Sequence, residues 1–302
     1  MNKSFFSKIK SYIKLIRPHH CIKNFLVFLP VMFSGDLLKD GNLFRCIIGF
    51  AAFSLLSFSV YVLNDIKDVE NDKRHSVKRN RPIACGAVSI PEAVVIAVLL
   101  IVASAAVAAF FLTDIALKGF LVLGAYVIIN AVYSLGGKKL PVLDVTLLSL
   151  GFIIRMVYGS VVTGTPISEW LFLTVLSMSY FLGLGKRRGE SMRQADGTRE
   201  VLRFYNKNFF DKFMYVFMGL SIAFYSLWAV SVSQEGQKGM SLFIWTVPVV
   251  IVICMKYSLD IESGGDGDPV EVVFSDKILI ALICLYALSA LGIIYLPGYL
   301  HI

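Results

Sequence analysis

Apolar side chains run through this chain in long blocks separated by short polar connections. A helix that crosses a hydrocarbon layer of roughly 30 Å needs about 20 mainly apolar residues. Windows of that kind fall at 22–38, 43–65, 90–112, 115–135, 142–162, 167–185, 210–232, 241–258 and 277–296. No stretch alternates apolar and polar positions as a membrane strand does, and a bilayer admits only helices or closed barrels. The predicted architecture is therefore all-α, an integral membrane bundle of about nine transmembrane helices in one domain over residues 1–302. Ahead of the first window, Phe5, Ile9, Tyr12, Ile13 and Ile16 share one helical face, with Lys3, Lys8, Lys10 and Lys14 elsewhere. That pattern predicts an interfacial amphipathic helix over 1–17 in place of a cleavable signal.

Composition agrees with the pattern. Hydrophobic residues make up 57% of the 302, and charged residues only 17%, against about 25% in soluble domains. The 29 Lys and Arg residues are distributed unevenly. Lys39, Arg45, Lys118 and Lys238 lie on one set of connections and Arg155 lies inside a window; all the others are on the opposite set. By the positive-inside rule the N-terminus is expected in the cytoplasm. The connections 66–89, 186–209 and 259–276 on that side are also the long polar ones, where a site would be built. Five cysteines show no paired spacing and read as small hydrophobes. A basic net charge of +8 is accounted for by this asymmetry, so no nucleic-acid partner is expected.

The second window ends in Asn64-Asp65-Ile66-Lys67-Asp68-Val69-Glu70-Asn71-Asp72. If the helix continues, Asn64, Asp68 and Asp72 recur every four residues with Asp65 beside them, all on one face. Carboxylates that close need a cation, and oxygen-only donors favour a hard ion such as Mg²⁺, whose remaining positions hold water or phosphate. A basic run follows, including Arg74, Lys78, Arg79 and Arg81. Carboxylate-held metal next to guanidinium groups makes a diphosphate site, although positive-inside topology alone supplies several of these charges. In the fifth window Asp144 and Arg155 are almost three helical turns apart. An arginine at mid-span costs roughly 2.5–3.5 kcal/mol on insertion scales, so Arg155 is expected to face the interior with a partner or ligand. The alternative is a polar network tying helices together. The fourth window adds Tyr126, Asn130, Tyr133 and Ser134 at helical spacing.

The stretch N-D-I-K-D-V-E-N-D at 64–72, followed by K-R-N-R-P at 78–82, resembles the first aspartate-rich motif of the UbiA-type polyprenyl transferase superfamily. A narrower resemblance is to its decaprenyl-phosphate phosphoribosyltransferase branch. It rests on R-P-H-H-C-I-K-N at 17–24, P-V-L-D at 141–144, G-F-I-I-R at 151–155, G-K-R-R-G-E at 185–190 and G-D-P-V-E-V-V-F-S-D at 267–276. The resemblance implies a nine-helix bundle with a magnesium-diphosphate site. It also implies transfer of a phosphoribosyl group from 5-phosphoribosyl 1-diphosphate to a polyprenyl phosphate, releasing pyrophosphate, for synthesis of a cell-envelope pentose donor.

On that reading Asn64, Asp65, Asp68, Asp72 and Asp144 hold Mg²⁺. Arg17, Lys23, Asn24, Tyr61, Arg74, Lys78, Arg79, Arg81, Asn130, Tyr133, Lys139, Arg155, Lys186, Arg187 and Arg188 serve the substrates, with His19, His20, Glu190 and Tyr205 as weaker candidates. The site is expected on the cytoplasmic side of the cell's inner membrane, and self-association is left open. An aromatic prenyltransferase would share the magnesium site, but its second motif carries spaced carboxylates, whereas Asp144 stands alone behind Lys138 and Lys139. A transporter would place charges along a continuous path and break helices in mid-bilayer. The D-G-x-x-A-R signature of CDP-alcohol phosphotransferases is absent.

Overall fold

The computed structural model describes residues 2–74, 77–192, 200–234, 240–263 and 267–296. Arg193, Arg199 and Lys238 of the charge asymmetry, and His75 of the basic run, lie outside them. Every regular element among the described residues is helical. The chain forms two compact units, one comprising Met1–Met32, Asp36–Gly136 and Ile154–Thr165, the other Phe33–Gly35, Gly137–Ile153 and Pro166–Ile302.

In the first unit, α1 (Asn2–Ile16) forms where the amphipathic pattern predicts it. Its Leu15 is buried beside Val62 and Ile83, Lys8 Nζ lies 2.5 Å from Glu92, and Lys14 Nζ donates to the Asn80 carbonyl at 3.0 Å. Arg17 then takes a left-handed backbone (φ 52°), which is strained for a residue with a Cβ. The first predicted window departs from expectation. It begins as a 3₁₀ helix, Pro18–Phe28, and only its last turn, α2 (Leu29–Phe33), is α-helical. At about 2.0 Å per residue rather than 1.5, the two together still extend roughly 30 Å. The 3₁₀ segment lies directly on Gly159: a Cβ there would sit 1.9 Å from the Val27 carbonyl oxygen.

Helix α3 (Asn42–Lys67) carries the second window, and α4 (Val69–Arg74) follows after a single residue, Asp68. The Ser89 hydroxyl accepts the Glu92 N–H while the Glu92 carboxylate accepts the Ser89 N–H, so a capping box starts α5 (Ile90–Phe111). Ser104 Oγ donates to the Ala52 carbonyl at 2.7 Å, holding α5 to α3. Helix α6 (Ala116–Leu135) and the second half of α7 (Leu143–Thr163) complete a core of Phe53, Leu56, Val60, Leu123, Tyr126 and Tyr158.

The second unit holds the first half of α7, then α8 (Glu169–Met192), α9 (Lys207–Gln234), α10 (Val247–Glu262), α11 (Pro269–Ser275) and α12 (Lys277–Tyr295). Asp268 caps α11 and Asp276 caps α12, each accepting backbone N–H groups left open at a helix start. Phe181, Leu184, Phe210, Met214 and Tyr257 pack the centre of this unit.

Seven helices among the described residues are long and apolar enough to cross a membrane; with the short turns that precede some of them they cover 42–67, 90–111, 113–135, 143–163, 207–233, 241–262 and 277–295. Two of the nine predicted windows differ in kind. One is the 3₁₀ segment; the other, α8, is 24 residues long but carries Glu169, Lys186, Arg187, Arg188 and Glu190.

Candidate active site

The acidic motif is assembled by α3 and α4 acting as nearly one helix. Asp68 N–H donates to the Asn64 carbonyl at 2.9 Å and Asp72 N–H to the Asp68 carbonyl at 2.8 Å, so the four-residue spacing survives the one-residue break. Asp65 and Asp72 are buried, at 3% and 4% exposure. Arg17 Nη2 donates to both Asp65 oxygens at 2.5 Å. Arg81 Nη1 lies 3.2 Å from Asp65 Oδ1 and 2.6 Å from Asp72 Oδ2. Two carboxylates two helical turns apart therefore converge on one cationic nitrogen. Asn64 accepts the Ser134 hydroxyl of α6, and Lys67 Nζ donates to the Ser134 carbonyl at 2.6 Å. Among the described residues no three His, Cys, Asp or Glu side chains form a ready-made metal-ligand group. Mg²⁺ does not require one, because one or two carboxylates, water and substrate phosphate complete its shell.

Of the other predicted residues in this unit, Lys23, Tyr61, Lys78 and Tyr133 are half-buried, and Arg74 and Arg79 are exposed. The rings of His19 and His20 lie 4.4 Å apart, and His20 is 5.5 Å from Tyr61. Asn130 donates to the Tyr126 carbonyl at 2.8 Å. Arg155, 5% exposed, is held in a network that joins three elements. Its Nε donates to Asn24 Oδ1 at 2.7 Å and its Nη2 to the Tyr126 hydroxyl at 3.2 Å, with Phe53 and Tyr126 rings 5.2 and 5.1 Å away. Asn24 Nδ2 in turn donates to Ser54 and Ser57. These contacts tie Arg155 to the 3₁₀ segment and to α3 and α6.

The second unit builds a separate ionic cluster at the cytosol-predicted end of α8. Arg187 and Asp144 are both fully buried, with Nε 2.6 Å from Asp144 Oδ2. The Tyr205 hydroxyl donates to Asp144 Oδ1 at 2.7 Å and accepts the Val142 N–H at 2.5 Å. Burial pushes the Tyr205 hydroxyl pKa up, the Val142 N–H opposes this, and Asp144 adds to the rise, so the tyrosine stays a donor at any physiological pH. Val142 sits at φ 69°, a costly conformation for a β-branched residue. Arg187 also reaches Glu190 at 2.7 Å, Arg188 reaches Asp211 at 2.6 Å, and Lys186 reaches Asp268 at 2.6 Å. Gly267 (φ 73°) fits only as glycine, since a Cβ would meet the Gly185 carbonyl oxygen at 2.8 Å. Lys139 is exposed.

A family model described as "UbiA prenyltransferase family" matches residues 27–257. The chain belongs to the UbiA prenyltransferase family. Among curated UbiA relatives, decaprenyl-phosphate phosphoribosyltransferase of Corynebacterium glutamicum is 32% identical over 94% of this chain and 86% of its own length. The protein of that name from Mycobacterium tuberculosis is 30% identical over 90% of each chain. A UbiA homolog from Archaeoglobus fulgidus, solved bound to DMAPP and Mg²⁺, aligns with a TM-score of 0.70, 19% identity, and coverage of 93% of this chain and 99% of that one. That likeness establishes the UbiA fold.

In the sequence, Ser134 stands out only as one of the polar positions of the fourth window, Asp211 and Asp268 carry no role, and Tyr205 and Glu190 are weaker candidates. Asp268 had a usable signal, since G-D-P opens a helix with an N-cap acid. Asp211 had none, because its partner Arg188 lies on a different helix.

Proposed function

We propose that this protein transfers a 5-phosphoribosyl group from 5-phosphoribosyl 1-diphosphate to a decaprenyl-type polyprenyl phosphate, releasing pyrophosphate. The observation that carries the reading is that similarity to decaprenyl-phosphate phosphoribosyltransferases extends over 94% of the chain, so it includes the Asp65–Asp72, Asp144, Arg187 and Asp268 segments together. A phosphate oxygen of the lipid attacks the anomeric carbon as the bond from that carbon to the pyrophosphate oxygen breaks. The centre passes through an oxocarbenium-like state, and an ionised phosphate needs no base.

Asn64, Asp65, Asp68 and Asp72 would hold Mg²⁺. The fit rests on their oxygen-only donor set and on the way Asp65 and Asp72 already share a cationic atom. Bound there, the metal would supply Lewis-acid stabilisation of the departing pyrophosphate. Arg17 and Arg81 bind phosphate oxygens as bidentate-capable cations. Asp144 has both oxygens engaged by Arg187 and Tyr205, so in this reading it positions Arg187 for a substrate phosphate instead of ligating the metal. Lys23, Lys186 and Arg188 serve as further phosphate contacts, and Arg155 and Asn24 keep the first helical segment in place. The Lys and Arg asymmetry supports a site facing the cytoplasm across the inner membrane, with α1 lying along its surface.

The test is incubation of purified protein with radiolabelled phosphoribosyl diphosphate, Mg²⁺ and a polyprenyl phosphate, followed by lipid extraction. Label is expected in the organic phase. An unlabelled organic phase, with turnover of a prenyl diphosphate and an aromatic acid instead, would reverse the assignment.

A further inference from the structure

The acidic cluster is neutralised from within by two arginines. Asp65 gives both oxygens to Arg17 and one of them again to Arg81, while Asp72 gives Oδ2 to the same Arg81 nitrogen. Two buried carboxylates thus face two guanidinium groups, and the formal charge of the four is zero. An ionised carboxylate has about four lone-pair directions. Three hydrogen bonds already use Asp65, and Asp72 Oδ2 accepts from Arg81 at 2.6 Å. A divalent ion arriving alone would have to enter next to two fixed cations and compete for oxygens they hold. A diphosphate reverses this balance, because its tetrahedral phosphates offer several anionic oxygens that a guanidinium fork binds bidentately.

We propose that Arg17 and Arg81 act as resident counter-ions of the aspartate cluster, released to the donor's diphosphate as it arrives, so that metal and diphosphate bind cooperatively and neither binds well alone. The proposal rests on the metal reading above and adds a specific role for the two arginines. Arg17 is suited to such a change of partner. It stands at the strained left-handed junction between α1 and the 3₁₀ helix, and it remains one-fifth exposed while Asp65 is buried. Arg81 is similar: it is one-quarter exposed and leads directly into the Pro82 turn. By thermodynamic linkage, the factor by which diphosphate tightens metal must equal the factor by which metal tightens diphosphate.

Equilibrium dialysis of detergent-purified full-length protein against Mn²⁺, with and without inorganic pyrophosphate, measures this coupling without turnover. Wild type is expected to retain Mn²⁺ weakly alone and roughly tenfold more tightly with pyrophosphate, within the usual span of coupled sites. Arg81→Gln should bind Mn²⁺ alone about tenfold more tightly than wild type, because Asp65 and Asp72 lose a counter-ion, and most of the pyrophosphate enhancement should disappear. Arg17→Gln should move both quantities in the same directions, and Arg81→Lys should fall between, which keeps the test open if one variant folds poorly. If neither Gln variant tightens Mn²⁺ alone while pyrophosphate still enhances binding, the arginines are not counter-ions and the metal reading stands. If no form of the protein retains Mn²⁺ even with pyrophosphate, the metal reading fails and this inference fails with it.

Discussion

Tyr205 holds Asp144 by its hydroxyl at 2.7 Å and, through the same oxygen, accepts the Val142 N–H at 2.5 Å. One side chain from the α8–α9 connection thus anchors the strained entry to α7 and fixes the carboxylate that faces Arg187. Tyr205→Phe leaves the Val142 N–H and one oxygen of the buried Asp144 carboxylate without this partner. The expected cost is about 1–3 kcal/mol, read as a lower melting temperature in detergent. A variant that melts with wild type would show that the hydroxyl holds nothing in place.

Asp68→Asn is expected to reduce phosphoribosyl transfer on the order of 10²-fold or more with folding intact, because the side chain loses its charge but keeps its shape. Asp68 has φ −91° and ψ 7°, a conformation asparagine adopts without strain. Near-normal activity in the label-transfer assay would remove Asp68 from the metal set.

Arg155→Met tests the network against the ligand role predicted from sequence. Losing the donors to Asn24 and Tyr126 should cost about 1–3 kcal/mol, seen as thermal destabilisation. A variant with unchanged melting but failed polyprenyl-phosphate turnover would instead give Arg155 to the substrate.

Gly159→Ala is expected to impair folding outright, since its Cβ would lie 1.9 Å from a backbone oxygen that cannot swing aside. Overpacking costs about 1–3 kcal/mol even where neighbours relax. Normal yield and a monodisperse size-exclusion peak would contradict the close approach.

The Asp276 carboxyl titrates below its ordinary 3.8 because Lys256 and the α12 backbone N–H groups stabilise its charge. A depressed folded pKa gives stability that is full above the unfolded value and disappears as pH falls through the folded one. Asp276→Asn should therefore lower the melting temperature at pH 7, with the difference from wild type closing below about pH 3.8. A difference that persisted unchanged at low pH would point to shape, not charge.

Much of this arrangement was legible from local pattern. Asn64, Asp65, Asp68 and Asp72 share a face because one periodicity governs the helix and its continuation, and the α1 amphipathicity is equally local. The UbiA family was legible too, through motifs in order. What escaped were pairings between distant residues: Arg17 with Asp65, Asp144 with Arg187, Lys186 with Asp268. Each lone charge could be read as a ligand because its partner is at least 43 residues away. The 3₁₀ winding of 18–28 also left no trace, since apolar content decides that a segment is buried but not how tightly it turns.

That winding restricts how the first segment can vary. Successive side chains on a three-residue turn are offset by a third of a revolution, so deleting one residue between Pro18 and Asn24 would swing Asn24 off Arg155 and Val27 off Gly159 together. Length changes should be rejected there and accepted in the Ser34–Gly41 connection, a contrast that single-residue deletions scored by folded yield would expose.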